Sequence, residues 1–348
     1  MHGGIKMRVK LLIATVDILY AKLISDNISE FHADKIDISI CSTLEGLQES
    51  LSKRKYDVVL LDAVLIEHAD TGLPCLRLLL WSEADPAGIL PEGLGAINKY
   101  QRISSIVSSV LERFAKESGN RNGPDSKRAK ITAVWSPAGG VGKTSVAIAY
   151  ALSNAIDENE VFYLNLEDFT SVPGYFDDSG KSISNVFEML ENNNGNVKML
   201  IQGVSSRDNG LTYLCSPDNY EDMFILSGEN VNELILNCSE LSDELVIDLS
   251  CSFDTRTRKV FELADNVLIV TAQTSVAKTK LAQFISQNNV FESIKDKVTL
   301  VANKGAVINE PAIDSMISLP YVQANDTVEL CRKLSETVSS NRKVWLQA

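Results

Sequence analysis

Histidine is nearly missing from this chain, with three in 348 residues, and its six cysteines stand apart without a C-x-x-C pair. Zinc sites of the usual Cys/His spacing are therefore not expected. Cys41, Cys75, Cys215, Cys238, Cys251 and Cys331 sit mostly in apolar runs. They read as small buried hydrophobes of a reducing compartment and not as a disulfide framework. No apolar run approaches the roughly 18–20 residues of a membrane span. The opening residues, Met1 to Lys6, lack the apolar stretch of a secretory signal, so a cytoplasmic location is expected. Basic residues are also in short supply: 33 Lys and Arg face 46 Asp and Glu, a net charge of −13. That balance argues against broad binding to nucleic acid and against adhesion to an anionic membrane through charge alone.

What is present suits well-buried cores: 45% of residues are apolar and 23% charged. The length suggests two domains. The polar stretch from Glu117 to Lys130, with Gly and Pro and no apolar periodicity, reads as a linker over 117–130. It separates a domain over 1–116 from one over 131–348. In the first, strand-like runs at Val9–Ala14, Asp37–Cys41, Asp57–Leu61 and Leu76–Trp81, and a short one near Ala96, alternate with stretches of helical spacing. Continuous apolar strands between helices predict a parallel sheet covered on both faces, here a flavodoxin-like doubly wound α/β fold. The second domain repeats the pattern with runs at Ile131–Trp135, Val161–Leu164, Leu211–Leu214, Leu245–Asp248, Val267–Val270, Val298–Ala302 and Ile317–Leu319. It reads as another doubly wound parallel sheet. Asn192 to Gly195 reads as a solvent loop. Leu330, Leu334 and Val338 form an apolar stripe expected to be the core face of a last helix.

The stretch Pro137-Ala-Gly-Gly-Val-Gly-Lys-Thr-Ser145 lies between the run ending at Trp135 and a helical stretch over Ser145–Leu152. Strand, Gly-rich loop and helix in that order predict a phosphate-cradling loop. Backbone N–H groups of Gly139, Gly140, Val141 and Gly142 can converge on phosphate oxygens, and the helix N-terminus adds partial positive charge. Lys143 supplies a point charge, the Thr144 hydroxyl is placed to ligate Mg²⁺, and Ser145 follows it. Asp248 ends a buried strand after this loop and is expected to orient the metal and its waters.

The loop resembles the deviant Walker A motif K-G-G-x-G-K-[ST] of the family that includes the MinD and ParA ATPases. Two positions differ from related templates: Pro137 replaces a glycine and Ala138 replaces the family's extra lysine. The resemblance implies an ATP- and Mg²⁺-binding P-loop ATPase that forms a homodimer. Asn165 and Glu167 fall where the family carries D-x-D after its second strand, and Glu167 could still reach the γ-phosphate side. Asn303 falls where the family's asparagine meets the adenine edge, and Leu319-Pro320-Tyr321 resembles its I-P-Y turn beside the base. Asp265 matches a structural turn before a strand. The missing lysine implies slow hydrolysis, because in the family that cation stabilises charge across the dimer.

In the first domain, Tyr56 to Asp62 resembles the third strand of a response-regulator receiver, with Asp62 at the phosphoacceptor place. Of the acidic pair that would hold Mg²⁺ only Asp17 remains, after Thr15 and Val16. Ser82 and Lys99 fit the receiver's hydroxyl and lysine positions. A degraded receiver that serves as a docking surface is expected. A receiver-like domain ahead of a MinD-like ATPase resembles the TadZ/CpaE group of Flp-type (tight-adherence) pilus assembly, and Leu211 to Asp218 resembles a stretch of that group. The resemblance implies pilus secretion components as partners and a polar or inner-membrane-face position reached through them, with no nucleic acid. A ParA-like DNA partition ATPase and a response regulator with an ATPase output are the alternatives.

Overall fold

The computed structural model describes residues 8–66, 75–82, 95–118, 128–155, 159–192 and 195–340. It divides into two compact units, residues 1–122 with 194–203, and residues 123–193 with 204–348.

In the first unit the strands are β1 (Val9–Ala14), β2 (Ile36–Cys41), β3 (Val58–Asp62), β4 (Leu76–Trp81) and β5 (Gly95–Asn98). The helices are α1 (Ile18–Phe31), α2 (Leu44–Lys53), α3 (Ala63–Ile66) and α4 (Ile103–Ser118). The strands pair in parallel in the order β2-β1-β3-β4-β5, the flavodoxin-like arrangement expected from the sequence. Leu11 to Ala14 and Val58 to Leu61 are buried, as parallel strands covered on both faces must be. Asp17 caps α1 by accepting from the Tyr20 N–H at 3.0 Å, and Thr43 caps α2 by accepting from Gly46 at 3.0 Å. Helix α4 continues over Glu117 and Ser118. Most of the expected linker, 119–127, lies outside the described residues, as do Met1 to Lys6 and the Asn193–Asn194 part of the expected solvent loop. Residues 194–203 count with this unit: the Asn196 N–H donates to the Ala115 carbonyl at 2.7 Å, and the Ser108 hydroxyl to that of Gly203 at 3.0 Å.

The remaining elements, in chain order, are β6 (Lys130–Trp135), α5 (Lys143–Asn154), β7 (Val161–Leu166), α6 (Ser184–Asn192), α7 (Val197–Val204), β8 (Ser206–Asp208), β9 (Leu211–Tyr213), α8 (Asp222–Ile225), α9 (Gly228–Ser239), β10 (Glu244–Leu249), α10 (Thr255–Leu263), β11 (Asn266–Thr271), α11 (Ser275–Ile285), α12 (Asn288–Phe291), β12 (Val298–Ala302), β13 (Ser315–Ser318) and α13 (Thr327–Ser340). The second unit's sheet runs β13-β12-β11-β6-β10-β7-β9-β8. Its strands are parallel except β8, which pairs antiparallel with β9 through the Asn209-Gly210 turn, both residues at positive φ. The expected doubly wound parallel sheet thus carries one antiparallel edge strand that was not among those expected from the sequence.

The core lies where α5 crosses the sheet. Val146 to Ala151 are buried there with Val134, Val246 and Val270, and Cys331, Leu334 and Val338 of α13 close over them. Leu330 packs on the same cluster, so the stripe read from sequence is a core face. Asp265 is structural, as expected: its carboxylate accepts from the Ile131 N–H at 2.7 Å and its own N–H donates to the Ile131 carbonyl at 2.8 Å, which pins the start of β6. All six cysteines are free; Cys215, Cys238 and Cys331 are buried and the other three half-buried. Among the described residues no helix is long and apolar enough to cross a membrane.

Candidate functional site

The second unit's site forms at the C-terminal ends of β6, β10 and β7, three neighbouring strands of its sheet. Strand β6 ends at Trp135, whose indole N–H donates to the Ser252 carbonyl at 3.0 Å and whose ring meets Phe253, Phe261 and Phe284. This aromatic packing fixes the strand end from which the loop departs. Ser136 then accepts from the Ala138 N–H at 3.1 Å, a tight first turn. Gly140 (φ 71°) and Gly142 (φ 91°) take left-handed conformations that a side chain would strain. At Gly142 a Cβ would also lie 2.5 Å from Asn303 Nδ2, whereas one at Gly139 or Gly140 would meet nothing within 4 Å. The loop is thus closed behind Gly142 and open beside Gly139 and Gly140.

Gly142 is the N-cap of α5 and offers no side-chain acceptor to the helix's first N–H groups. Uncapped N–H groups and the positive end of a helix dipole favour an anion at such a place. Lys143 is buried, 8% exposed, with its ammonium 3.4 Å from Cys251 Sγ. Ser145 Oγ pairs with the Tyr175 hydroxyl at 3.2 Å. Ala138 is buried at 4% exposure and presents only a methyl group where the motif that the loop resembles has a lysine.

Asp248 is fully buried at the end of β10. Its Oδ2 accepts from the Tyr163 hydroxyl at 3.0 Å and lies 3.5 Å from Asn165 Nδ2, while its Oδ1 has no hydrogen-bond partner. Burial, reinforced by the Glu167 carboxylate, pushes its pKa up to about 7; the Thr144 hydroxyl and the Lys143 ammonium pull the other way. Burial also holds Tyr163 protonated, which keeps it a donor to Asp248. A buried acid with one bare oxygen beside a lysine and a threonine lacks a cation or a donor. Hard oxygen ligands of this kind suit Mg²⁺.

Asn165 and Glu167 cap the turn after β7: Asn165 Oδ1 accepts from the Glu167 N–H at 3.1 Å, and Glu167 Oε2 accepts from Ser171 at 2.5 Å and Asn165 at 3.2 Å. They also border Asp248, so the capping role and proximity to the acid coexist. Asn303 follows β12 and Pro320 follows β13, and the Gly305 N–H to the Leu319 carbonyl (2.9 Å) ties their turns together. Pro320 is exposed and Tyr321 is 73% exposed. The Asn303 amide donates to the Val141 carbonyl at 2.9 Å and accepts from the Lys304 N–H at 2.8 Å.

No family model matches the chain, and neither does any curated protein. Among solved structures, a ParA family ATPase from Chlorobium tepidum is 17% identical, covering 61% of this chain and 97% of that one with a TM-score of 0.52. Over that 61%, the chain has the fold of a ParA family ATPase. A plasmid partition protein from Borrelia burgdorferi (17% identity, 63% and 99% covered, TM-score 0.49) and the cell division ATPase MinD from Pyrococcus furiosus (12%, 61% and 99%, 0.45) are more distant in shape.

Within this ParA-type fold, several site residues escaped sequence reasoning. Asp168 pairs with Arg256 at 2.9 Å, and Arg256 also meets Asp254 and the Met223 carbonyl. Ser250 Oγ accepts from the Asp168 N–H at 2.9 Å and lies 3.0 Å from its carboxylate. These contacts join the loop after β7 to the loop after β10. The acidic run Glu167-Asp168 was a signal for one side, but nothing local marked Arg256. Tyr163 read only as a strand residue and Cys251 only as a small hydrophobe.

In the first unit, the candidate receiver residues gather at the C-terminal end of the sheet, but toward each other. The Thr15 hydroxyl donates to Asp62 Oδ2 at 2.7 Å, and the Ala63 N–H to Oδ1 at 3.0 Å. Asp17 caps α1 and pairs with Lys99 at 3.0 Å; the Tyr20 N–H and then Lys99 hold its carboxyl below the usual range. Lys99 also lies over the Tyr20 ring, 4.7 Å from its centroid. Ser82 is exposed at the end of β4.

Proposed function

We propose that this protein is an ATP-binding, ATP-dependent dimerising localisation factor with slow hydrolysis, of the kind found in the TadZ/CpaE group of pilus assembly. The observation that carries the nucleotide reading is Asp248, fully buried with Oδ1 unpartnered beside the lysine and threonine of a glycine loop. The residues fit Mg·ATP. The phosphates would rest on the backbone N–H groups from Gly139 to Thr144, with Lys143 countering their charge. Thr144 and Asp248 would hold the metal, and Asn303 and Pro320 would border the base. When bound, Mg·ATP supplies the transferable phosphoryl group and much of the charge neutralisation its transfer needs.

The chain's own groups support binding better than turnover. Ala138 cannot reach across a dimer with positive charge. Asn165 cannot act as a base, and its amide is already shared between Tyr163, Glu167 and Asp248. Both facts favour a switch that reports nucleotide by assembling, since a ligand touching both copies stabilises the dimer by linkage. In the first unit, Thr15 occupies Asp62 and Lys99 occupies Asp17, which supports a receiver-like domain kept as a docking surface. The net charge of −13 weighs against the DNA-partition alternative. Calorimetric titration of wild type and Lys143→Ala with Mg·ATP tests the nucleotide site. Micromolar binding that disappears in the variant supports it, and equal heats for both proteins would refute it.

A further inference from the structure

Two non-glycine residues take positive φ among the described residues: Asn209, in a two-residue hairpin turn that suits asparagine, and Lys304 (φ 60°). Lysine has no short polar side chain to ease this conformation, so something must hold it there. Three hydrogen bonds do: Lys304 N–H to Asn303 Oδ1 (2.8 Å), Gly305 N–H to Leu319 O (2.9 Å) and Ala306 N–H to Asn303 O (3.1 Å). The result is that Lys304 turns back over the phosphate loop. Its Nζ donates to the Gly140 carbonyl at 2.8 Å, and its Cε comes within 3.9 Å of where a Gly142 Cβ would stand. Asn303 donates to the adjacent carbonyl, that of Val141, at 2.9 Å.

We propose that Lys304 is a positioning residue of the nucleotide site, which clamps the Gly140 carbonyl and so presets the Val141 N–H for a phosphate. The inference rests on the nucleotide reading given above. The Gly140 carbonyl and the Val141 N–H belong to one peptide unit, and an ammonium on the oxygen polarises that unit and strengthens its N–H as a donor. Asn303 does the same for the unit that carries the Gly142 N–H. A clamped loop also loses less freedom when the phosphates arrive. Because Ala138 brings no cation to this loop, Lys304 offers a positive charge from the same chain on the carbonyl side.

The test uses the full chain with Lys304→Gly, Lys304→Met, Lys304→Arg and, as a control, Lys143→Ala. Thermal midpoints are read without nucleotide, and affinities for Mg·ADP and Mg·ATP by calorimetry. Glycine is at ease at this φ, so Lys304→Gly is expected to keep or raise the midpoint while weakening both nucleotides by roughly tenfold. Lys304→Met is expected to weaken them alike, and Lys304→Arg to stay within about threefold of wild type. Wild-type affinity in both the Gly and Met variants would overturn the clamp and leave the nucleotide reading intact. A midpoint that falls with the affinity in Lys304→Gly would also overturn it, by showing a merely structural role. If wild type binds neither nucleotide, or Lys143→Ala binds as well as wild type, the nucleotide reading itself fails.

Discussion

Replacing Asp248 by asparagine should make the ligand-free protein more stable and, at the same time, insensitive to Mg·ATP. The carboxyl is fully buried, and its pKa rises from 3.8 to about 7, chiefly through desolvation. At about 1.4 kcal/mol per tenfold step, holding the charged form at pH 8 costs roughly 4 kcal/mol. Asparagine keeps the shape and an acceptor for the Tyr163 hydroxyl but adds an N–H₂ that needs partners, offsetting about 1–3 kcal/mol. The net gain is therefore on the order of 2 kcal/mol, or about 5 °C in the melting transition of a unit this size. The sign with pH follows from the raised pKa. Burial of this carboxyl costs wild type no stability below about pH 4, where folded and unfolded states are both protonated, and the cost grows until pH passes about 7. Near pH 4, where only the added N–H₂ counts, the variant should thus be less stable by about 1–3 kcal/mol; the difference should change sign as pH rises toward neutrality and level off above pH 8. Saturating Mg·ATP at a hundred times its dissociation constant should raise wild-type stability by about 2.7 kcal/mol and leave the variant unmoved. Differential scanning calorimetry across pH, with and without Mg·ATP, reads all of this. A variant less stable than wild type at pH 8 would contradict a buried charge at Asp248, and one stabilised by Mg·ATP as wild type is would contradict its place in the nucleotide site.

Gly142→Ala combines a left-handed φ of 91° with a Cβ placed 2.5 Å from the Asn303 amide, so it should cost about 1–3 kcal/mol and break the Asn303–Val141 bond. Chemical denaturation should show the loss, and unchanged stability would contradict the loop geometry. Cys251 lies 3.4 Å from the Lys143 ammonium, so Mg·ATP should slow its alkylation by N-ethylmaleimide while half-buried Cys41 and Cys75 react as before. Equal protection of all three, or of none, would count against the site. Incubation with acetyl phosphate and Mg²⁺ should leave Asp62 unmodified, because Thr15 holds its Oδ2 and Lys99 holds Asp17; a phosphoryl adduct seen by mass spectrometry would reopen the receiver as a working switch.

Much of the fold could be read from the chain because parallel strands buried on both faces are continuous apolar runs. Val58–Asp62 and Glu244–Leu249 announce themselves in this way, and an acid at the end of each marks the functional edge of its sheet. Strand β8, Ser206–Asp208, is three polar residues at a sheet edge, and its only local sign was the Asn209-Gly210 turn. The glycine loop was legible because its chemistry demands a fixed local order of residues. The contacts that complete it were not, because they join distant positions. Lys304 meets Gly140 across 164 residues and Arg256 meets Asp168 across 88, and neither carries a local pattern. Asp17 shows the reverse case: as a lone acid it read as the remnant of a metal pair, and the fold uses it as a helix cap and the partner of Lys99.

In the proposed function, nucleotide assembles this protein more readily than this protein consumes nucleotide. Light scattering coupled to size-exclusion chromatography, with Mg·ADP and with Mg·ATP, tests it most directly in wild type and Lys143→Ala. The expected result is a dimer of the full chain with Mg·ATP, a smaller species with Mg·ADP, and a Lys143→Ala protein whose mass ignores both. A wild-type mass indifferent to nucleotide would contradict it.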